Sequence, residues 1–328
     1  MNDLSARRVV VLAGGYGGAK LSHGMALASA ARVARGTDGL ALSVIVNTGD
    51  DLELHGLVVC PDLDTVMYTL AGLANDETGW GVRDETWSTI EMLGRYGAGT
   101  WFGLGDRDMA THIRRSQLLR AGRNLTQVSA ELAASLEVPA TLLPMTDDEV
   151  RTEIRTPDGW IEFQEYFVHR GQQDRVLEIR RRGIETARPT PQVLATIDDA
   201  ELIVVAPSNP FVSVGTILAL PGLLDALLEA PAPIVAVSPV VGGKALRGPA
   251  DRMLESLGGT ASAAGVVVHY RERYPGLVDT FVLDETDLAE VPSLEASGAR
   301  LDLLPTVMRT HEDREALAQA IIAGHLPD

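Results

Sequence analysis

At 328 residues and 45% hydrophobic composition the chain can bury a large core, which fits one elaborated domain. Its formal charge of -17 repels polyanions and excludes extended nucleic-acid binding, and no window approaches the roughly 20 unbroken apolar residues of a membrane span. A single cysteine, Cys60, and a polar start without a signal-like apolar region lead to a cytoplasmic expectation.

The first predicted element is a strand over 9–12, a β-branched run entering the turn Ala13-Gly14-Gly15-Tyr16-Gly17-Gly18-Ala19-Lys20, with Leu21, Met25 and Leu27 in a helix behind it. In that setting backbone N–H groups and a helix N-terminus attract phosphate, although a tight turn without a ligand uses the same residues. The glycines do not match the spaced dinucleotide fingerprint, which sets NAD-dependent hydride chemistry aside.

A second apolar run, 42–46, leads into Asn47-Thr48-Gly49-Asp50-Asp51-Leu52-Glu53-Leu54-His55 and then Pro61-Asp62-Leu63-Asp64-Thr65. Five carboxylates this close repel one another and favour protonation unless a cation or donors compensate. Magnesium is the expected ion, because it takes one or two carboxylates and leaves its other positions to water and phosphate oxygens. Asp64 could instead cap the helix that Pro61 starts. His55 is either a donor to these acids or structural.

Residues 65–136 carry helical patterns over 65–73, 86–96, 106–119 and 126–136 with no strand between, so they read as a helical insertion beside the acids. Within it, Trp101-Phe102-Gly103-Leu104-Gly105-Asp106-Arg107-Asp108 either caps a helix and fills core or offers aromatics and backbone to a planar ligand. Alternation over 149–155, 160–169 and 176–182, with Pro157-Asp158-Gly159 as a turn, predicts a small antiparallel excursion within 149–182.

The runs 202–206, 234–237 and 281–283 are short, wholly apolar strands of a parallel sheet covered on both faces, with helices over 214–228, broken near Pro221, and over 246–257. The expected class is α/β, a single domain 1–328 with a doubly wound, mostly parallel, Rossmann-like sheet. Two polar turns follow strands at their carboxyl ends, where open α/β sheets bind ligands: Ala206-Pro207-Ser208-Asn209-Pro210 and Ser238-Pro239-Val240-Val241-Gly242-Gly243-Lys244. Ser208 and Asn209 suit a base or ribose, and Lys244 and Arg247 a diphosphate, though either turn could be only a proline-defined loop. The chain has just two lysines, Lys20 and Lys244, both in glycine turns, and a phosphate contact is expected of at least one.

Together these motifs resemble the 2-phospho-L-lactate transferase family (CofD or FbiA type) of deazaflavin coenzyme biosynthesis. The resemblance is carried by the glycine turn, the segments 47–51 and 61–65 with His55-Gly56, Gly79-Trp80-Gly81, Glu85-Thr86-Trp87, Leu104-Gly105-Asp106-Arg107-Asp108 with Ala110-Thr111-His112, the turn at 206–210, and Gly243-Lys244. It implies a magnesium-dependent phosphotransferase for substituted phosphate groups. The group moved is 2-phospho-L-lactate, phosphoenolpyruvate or phosphoglycerate, from its guanosine diphosphate conjugate to the ribityl hydroxyl of the deazaflavin FO, releasing GMP.

By the same resemblance Gly14, Gly15, Gly17, Gly18, Lys20, Ser208, Asn209, Lys244 and Arg247 would hold the guanylyl donor. Asp62, Asp64, Thr65, Trp87 and Gly103 would meet FO, and Asp50 and Asp64 would be catalytic and hold the metal, with Asp64 the expected proton acceptor. The sequence departs from the family where Leu52-Glu53-Leu54 replaces a frequent aromatic and where Asp84 replaces a common asparagine. Nothing in the motifs reads which acid the donor carries. The alternative is a nucleotide-sugar-binding regulator of the gluconeogenesis-factor type, against which the Leu104 to Asp108 block and the tryptophans speak. A homodimer is the ordinary expectation for an enzyme of this size.

Overall fold

The computed structural model describes residues 6–326. Seven strands form a parallel central sheet: β1 (Arg7–Ala13), β2 (Leu40–Val46), β3 (Thr141–Pro144), β4 (Leu202–Val205), β5 (Ile234–Val237), β6 (Thr280–Asp284) and β7 (Leu301–Leu304). Their spatial order is β3-β2-β1-β4-β5-β6-β7, so the chain winds outward from β1 to one edge and then returns beside β1 to wind to the other. The reversal between β1 and β4 leaves a crevice at the carboxyl ends of those two strands.

Alternate side chains of each strand enter two separate cores. Val10 and Leu12 of β1 join Ile45, Ile203, Val205 and Leu283 on one face, while Val9, Val11 and Ala13 join Val44, Val204, Val235 and Val282 on the other. The second face is covered by α1 (Gly15–Ala34), α2 (Pro61–Leu70) and the C-terminal helix His311–His325, through residues such as Leu21, Met25, Val66, Leu317 and Ile321. Both faces of the inner strands are therefore dry, which is why their sequences are unbroken apolar runs. Expected strands at 9–12, 42–46, 202–206, 234–237 and 281–283 all lie in this sheet. The edge strands β3 and β7 escaped the sequence reading for a physical reason. β3 ends in Pro144, tolerated at an edge, and β7 is only half-buried and carries Asp302.

The insertion between β2 and β3 adds α3 (Ser88–Arg95), α4 (Asp106–Arg120) and α5 (Leu125–Ser135) to α2, matching the four expected helices. Two loops lock α3 and α4 together by exchanging caps. Asp106 accepts from the Ser88 and Thr89 N–H groups and the Thr86 hydroxyl, while Glu85 accepts from the Arg107 and Asp108 N–H groups. Asp106 thus caps α3, not its own helix.

The acidic stretch is not a continuous extended segment. It turns at Thr48–Asp51, forms a hairpin of Leu52–Leu54 with Leu57–Val59, and enters α2 at Pro61. His55 and Gly56 close that hairpin, both at positive φ (53° and 74°), the backbone that a two-residue turn between twisted strands requires. The excursion is a three-stranded antiparallel sheet of Arg151–Thr156, Gly159–Glu162 and Glu178–Arg182. The expected strand over 160–169 stops at Glu162 and a helical turn, Glu165–His169, follows, because Phe163 and Phe167 stack at a four-residue spacing with centroids 5.4 Å apart. No helix among the described residues is long and apolar enough to cross a membrane.

Candidate active site

A cavity of about 530 Å³ opens at the β1/β4 crevice. One wall is the glycine turn with the loop after β4, a second is the start of α2 and the inner face of α4, and a third is Phe163, Gln164 and Phe167 of the excursion. Trp80, Phe102 and Gly103 of the insertion face it from above, with Arg247 at the rim.

The two crevice loops are tied directly. The Ser208 hydroxyl donates to the Gly14 carbonyl (2.7 Å) and accepts from the Gly14 N–H (3.1 Å), so it is spent on joining β1 to β4. Gly17 passes so close to the Pro207 carbonyl that a Cβ there would collide with its oxygen. At the open start of α1, the Gly15 N–H donates to Asp62 Oδ1 at 2.8 Å, and Asn47 Nδ2 donates to Asp62 Oδ2 at 2.9 Å. A carboxylate therefore stands where a helix N-terminus would meet a phosphate. Burial raises Asp62 to a pKa of about 6, even though both hydrogen bonds oppose the rise.

Asp50 lies beside it. Its backbone is fixed by the excursion, with Gln164 Nε2 donating to the Asp50 carbonyl (3.2 Å) and the Thr152 N–H to the Gly49 carbonyl (2.6 Å). Asp50 is 4% exposed and its Oδ1 has no hydrogen-bond partner. Burial first, then the charges of Asp62 and Asp51, push its carboxyl well above the ordinary value. Asp51, also buried with an unpartnered Oδ1, is raised to about 7, chiefly by burial. A buried carboxylate oxygen without a donor is costly, so the Oδ1 of each of these neighbours is incomplete without a cation or a proton. Asp50 with Asp62 offers the two carboxylates that magnesium takes. Among the described residues no group of three His, Cys, Asp or Glu side chains converges to hold a metal alone.

Asp64 has a different environment. Both of its oxygens are held by the Arg115 guanidinium, Oδ2 at 3.0 Å from Nη1 and Oδ1 in contact with Nη2, and both residues are buried. Arg115 Nη1 also lies 3.2 Å from His112 Nδ1. His112 Nε2 is 3.3 Å from Asp108 Oδ1, which accepts the Tyr68 hydroxyl at 2.8 Å. Asp64, Tyr68, Asp108 and His112 all line the cavity.

Comparison with known proteins decides what this arrangement belongs to. The family model described as 2-phospho-L-lactate transferase CofD matches residues 9–303. The chain belongs to the CofD family. Its curated relatives include a phosphoenolpyruvate transferase of Kitasatospora aureofaciens, 44% identical over 321 residues that cover 96% of this chain and 97% of the relative. Another, from Streptomyces griseus, is 46% identical over 317 residues (95% and 96%), and one from Mycobacterium avium is 43% identical over 336 residues (97% of each). Among solved structures, a UPF0052 family member from Bacillus halodurans has the same fold, with a TM-score of 0.65 at 15% identity over 97% of this chain and 99% of that one. The protein is a CofD-type transferase of a phospho-organic-acid group.

Of the residues singled out in the sequence of this CofD-family chain, the cavity gathers Gly14, Gly15, Gly17, Asp50, Asp62, Asp64, Thr65, Gly103, Ser208, Asn209 and Arg247. Others stand elsewhere. Gly18 is the fourth residue of α1 and packs against Ala13 and Ser208. Lys20 donates to the Met308 carbonyl at 2.6 Å and lies 4.4 Å from the centre of the Tyr16 ring. Lys244 is exposed on a hairpin outside the cavity lining, and Trp87 packs edge-on to Trp80 behind Gly103. Asn209 folds its own turn, accepting from the Phe211 and Val212 N–H groups. Asp64 is no helix cap, since that position is Cys60.

Sequence reasoning missed Asn47, Tyr68, Asp108, His112, Arg115 and Gln164 as members of the site. A signal existed for three of them: Asp108, His112 and Arg115 recur at four and three residues along α4, a polar stripe on its inward face.

Proposed function

We propose that the chain transfers a phosphoenolpyruvyl group from its guanosine diphosphate conjugate to the terminal ribityl hydroxyl of FO, with release of GMP, in deazaflavin coenzyme biosynthesis. The names of the relatives above support the choice of phosphoenolpyruvate over lactate or glycerate conjugates. The observation that carries the reading is a single cavity joining a phosphate-type glycine turn, a set of incompletely partnered acids and an aromatic wall.

In this reading the diphosphate lies along Gly14, Gly15 and Gly17 with Arg247 at the rim, and the planar deazaflavin lies against Trp80, Phe102 and the Gly103 backbone. Asp62 at the start of α1 would repel a bare diphosphate, which favours entry with a cation. Asp50 and Asp62 would hold magnesium, whose contribution when bound is to neutralise charge on the phosphate oxygens. Asp64, with both oxygens in the Arg115 fork, acts as a hydrogen-bond acceptor that orients the attacking hydroxyl. Catalysis is then mainly positioning and charge neutralisation, as in other phosphoryl transfers. A homodimer and a cytoplasmic setting complete the proposal.

The test is GMP release by the purified protein with FO, magnesium and each of the three guanosine diphosphate conjugates. Release that requires FO and is fastest with the phosphoenolpyruvate conjugate supports the reading. Release independent of FO contradicts it.

A further inference from the structure

A chain of buried polar groups forms the floor of the cavity. Asp108, His112 and Arg115 share the inward face of α4 and meet Asp64 and Tyr68 on α2. Chemistry fixes the proton positions. A guanidinium only donates, so His112 Nδ1 must accept from Arg115, and the imidazole proton sits on Nε2, directed to Asp108 Oδ1. Asp108 Oδ1 receives the Tyr68 hydroxyl, and His112 Nε2 stands 3.3 Å from it without closing a hydrogen bond of good geometry. Burial alone would raise the Asp108 carboxyl, but the neighbouring His112 ring, the Tyr68 hydroxyl and the Arg115 charge outweigh it and hold the group below its ordinary value. Asp64 is held by the fork of Arg115. The result is two carboxylates with fixed orientation, both lining the cavity.

Each still has acceptor capacity. A carboxylate oxygen carries two lone pairs, and one donor per Asp64 oxygen leaves the other pair free. Asp108 Oδ2 receives no hydrogen bond from the described residues. Two anionic acceptors repel a phosphate, and a metal ion is disfavoured because the Arg115 guanidinium already occupies both oxygens of Asp64. What remains is a neutral ligand rich in O–H donors.

We propose that Asp64 and Asp108 form a paired acceptor site that grips successive hydroxyls of the acceptor's polyol chain, and that Arg115 is the positioning residue that sets both acids. The proposal rests on the transferase reading, and it adds a selection step. An acceptor with a flat ring but a chain lacking a hydroxyl would fill the aromatic wall and leave a buried carboxylate without its donor, a loss binding does not recover elsewhere. Arg115 contributes by taking one lone pair of each Asp64 oxygen, and Tyr68 by occupying Asp108 Oδ1, so that each acid presents only its free lone pairs.

The test compares FO with an analogue lacking one mid-chain ribityl hydroxyl, by fluorescence binding and by steady-state kinetics, on wild type, Asp108→Asn and Arg115→Lys. Wild type is expected to prefer FO by about tenfold or more, the loss of one charge-assisted hydrogen bond. Asp108→Asn should bind the two compounds alike, with KM for FO raised about tenfold and KM for the guanylyl donor unchanged. Arg115→Lys keeps the charge but not the fork, and should erode the same preference; an unchanged donor KM shows that it has folded. Equal binding of the two compounds by wild type overturns the proposal, as does an undiminished preference in Asp108→Asn. The binding arm needs no donor, so a wild type that releases no FO-dependent GMP contradicts the transferase reading while the polyol site is still tested.

Discussion

Asp64 and Arg115 lie 51 residues apart and meet in a two-point ion pair beneath the cavity, with side chains only 6% and 2% exposed. The pair joins α2 to α4, and so fixes the helical insertion to the end of the sheet that carries the glycine turn. Removing one partner strands the other charge in a dry environment, a cost of about 3–5 kcal/mol. Arg115→Met is expected to lose stability of that order in urea unfolding, and the double variant Arg115→Met with Asp64→Leu to recover most of it. A loss below about 1 kcal/mol in the single variant would show that water reaches the pair.

Asp50→Asn separates function from folding. The buried carboxylate, with its Oδ1 unpartnered, is unfavourable for the fold, so replacing it with an amide of the same shape should leave the thermal midpoint unchanged or raise it. Turnover should fall by about 100-fold or more, because charge at the phosphoryl group is no longer balanced. A variant that loses stability and keeps its rate would place Asp50 in the framework instead.

The same acids give stability a pH dependence of defined sign. Asp62 and Asp51 rise from an ordinary value of 3.8 to about 6 and about 7, mainly through burial. Between those limits the folded chain holds protons that the unfolded chain has released, so stability present at low pH is lost as pH rises toward about 7. The midpoint of the metal-free protein is therefore expected to fall between about pH 4 and about pH 7, and magnesium to reduce that fall. A midpoint that climbs over this range in the absence of magnesium would contradict the environment described for these two acids.

Gly17→Ala tests the crevice itself. Its Cβ would meet the Pro207 carbonyl oxygen, and backbone cannot move aside as a flexible side chain can. The expected loss is about 1–3 kcal/mol, with a raised KM for the guanylyl donor because α1 must shift from β4. Unchanged stability and KM would mean that the two loops are not packed as described.

The inner strands were legible because both of their faces are dry, and an unbroken β-branched run such as Val9 to Leu12 between polar flanks fits little but a buried strand. β7 was not, since an edge strand half open to water loses that pattern, and neither was β3, a short run closed by Pro144. Within the site, the position of the acids was legible but their division was not. Asp62 and Asp64 stand two residues apart in α2, yet one turns to Gly15 and Asn47 while the other turns to Arg115. That difference is set by α4, far along the sequence. The two lysines show the converse: a glycine context suggested phosphate for Lys20, but the carbonyl of Met308, 288 residues away, receives its ammonium.

The central claim is that one cavity brings a guanylyl-activated phosphoenolpyruvyl group to a deazaflavin hydroxyl. Single-turnover incubation of enzyme, magnesium and the phosphoenolpyruvate conjugate, with and without FO, measures it most directly. The account predicts stoichiometric GMP together with an FO product heavier by the phosphoenolpyruvyl group, and neither without FO. GMP formed at the same rate in the absence of FO, or FO recovered unmodified, would contradict it.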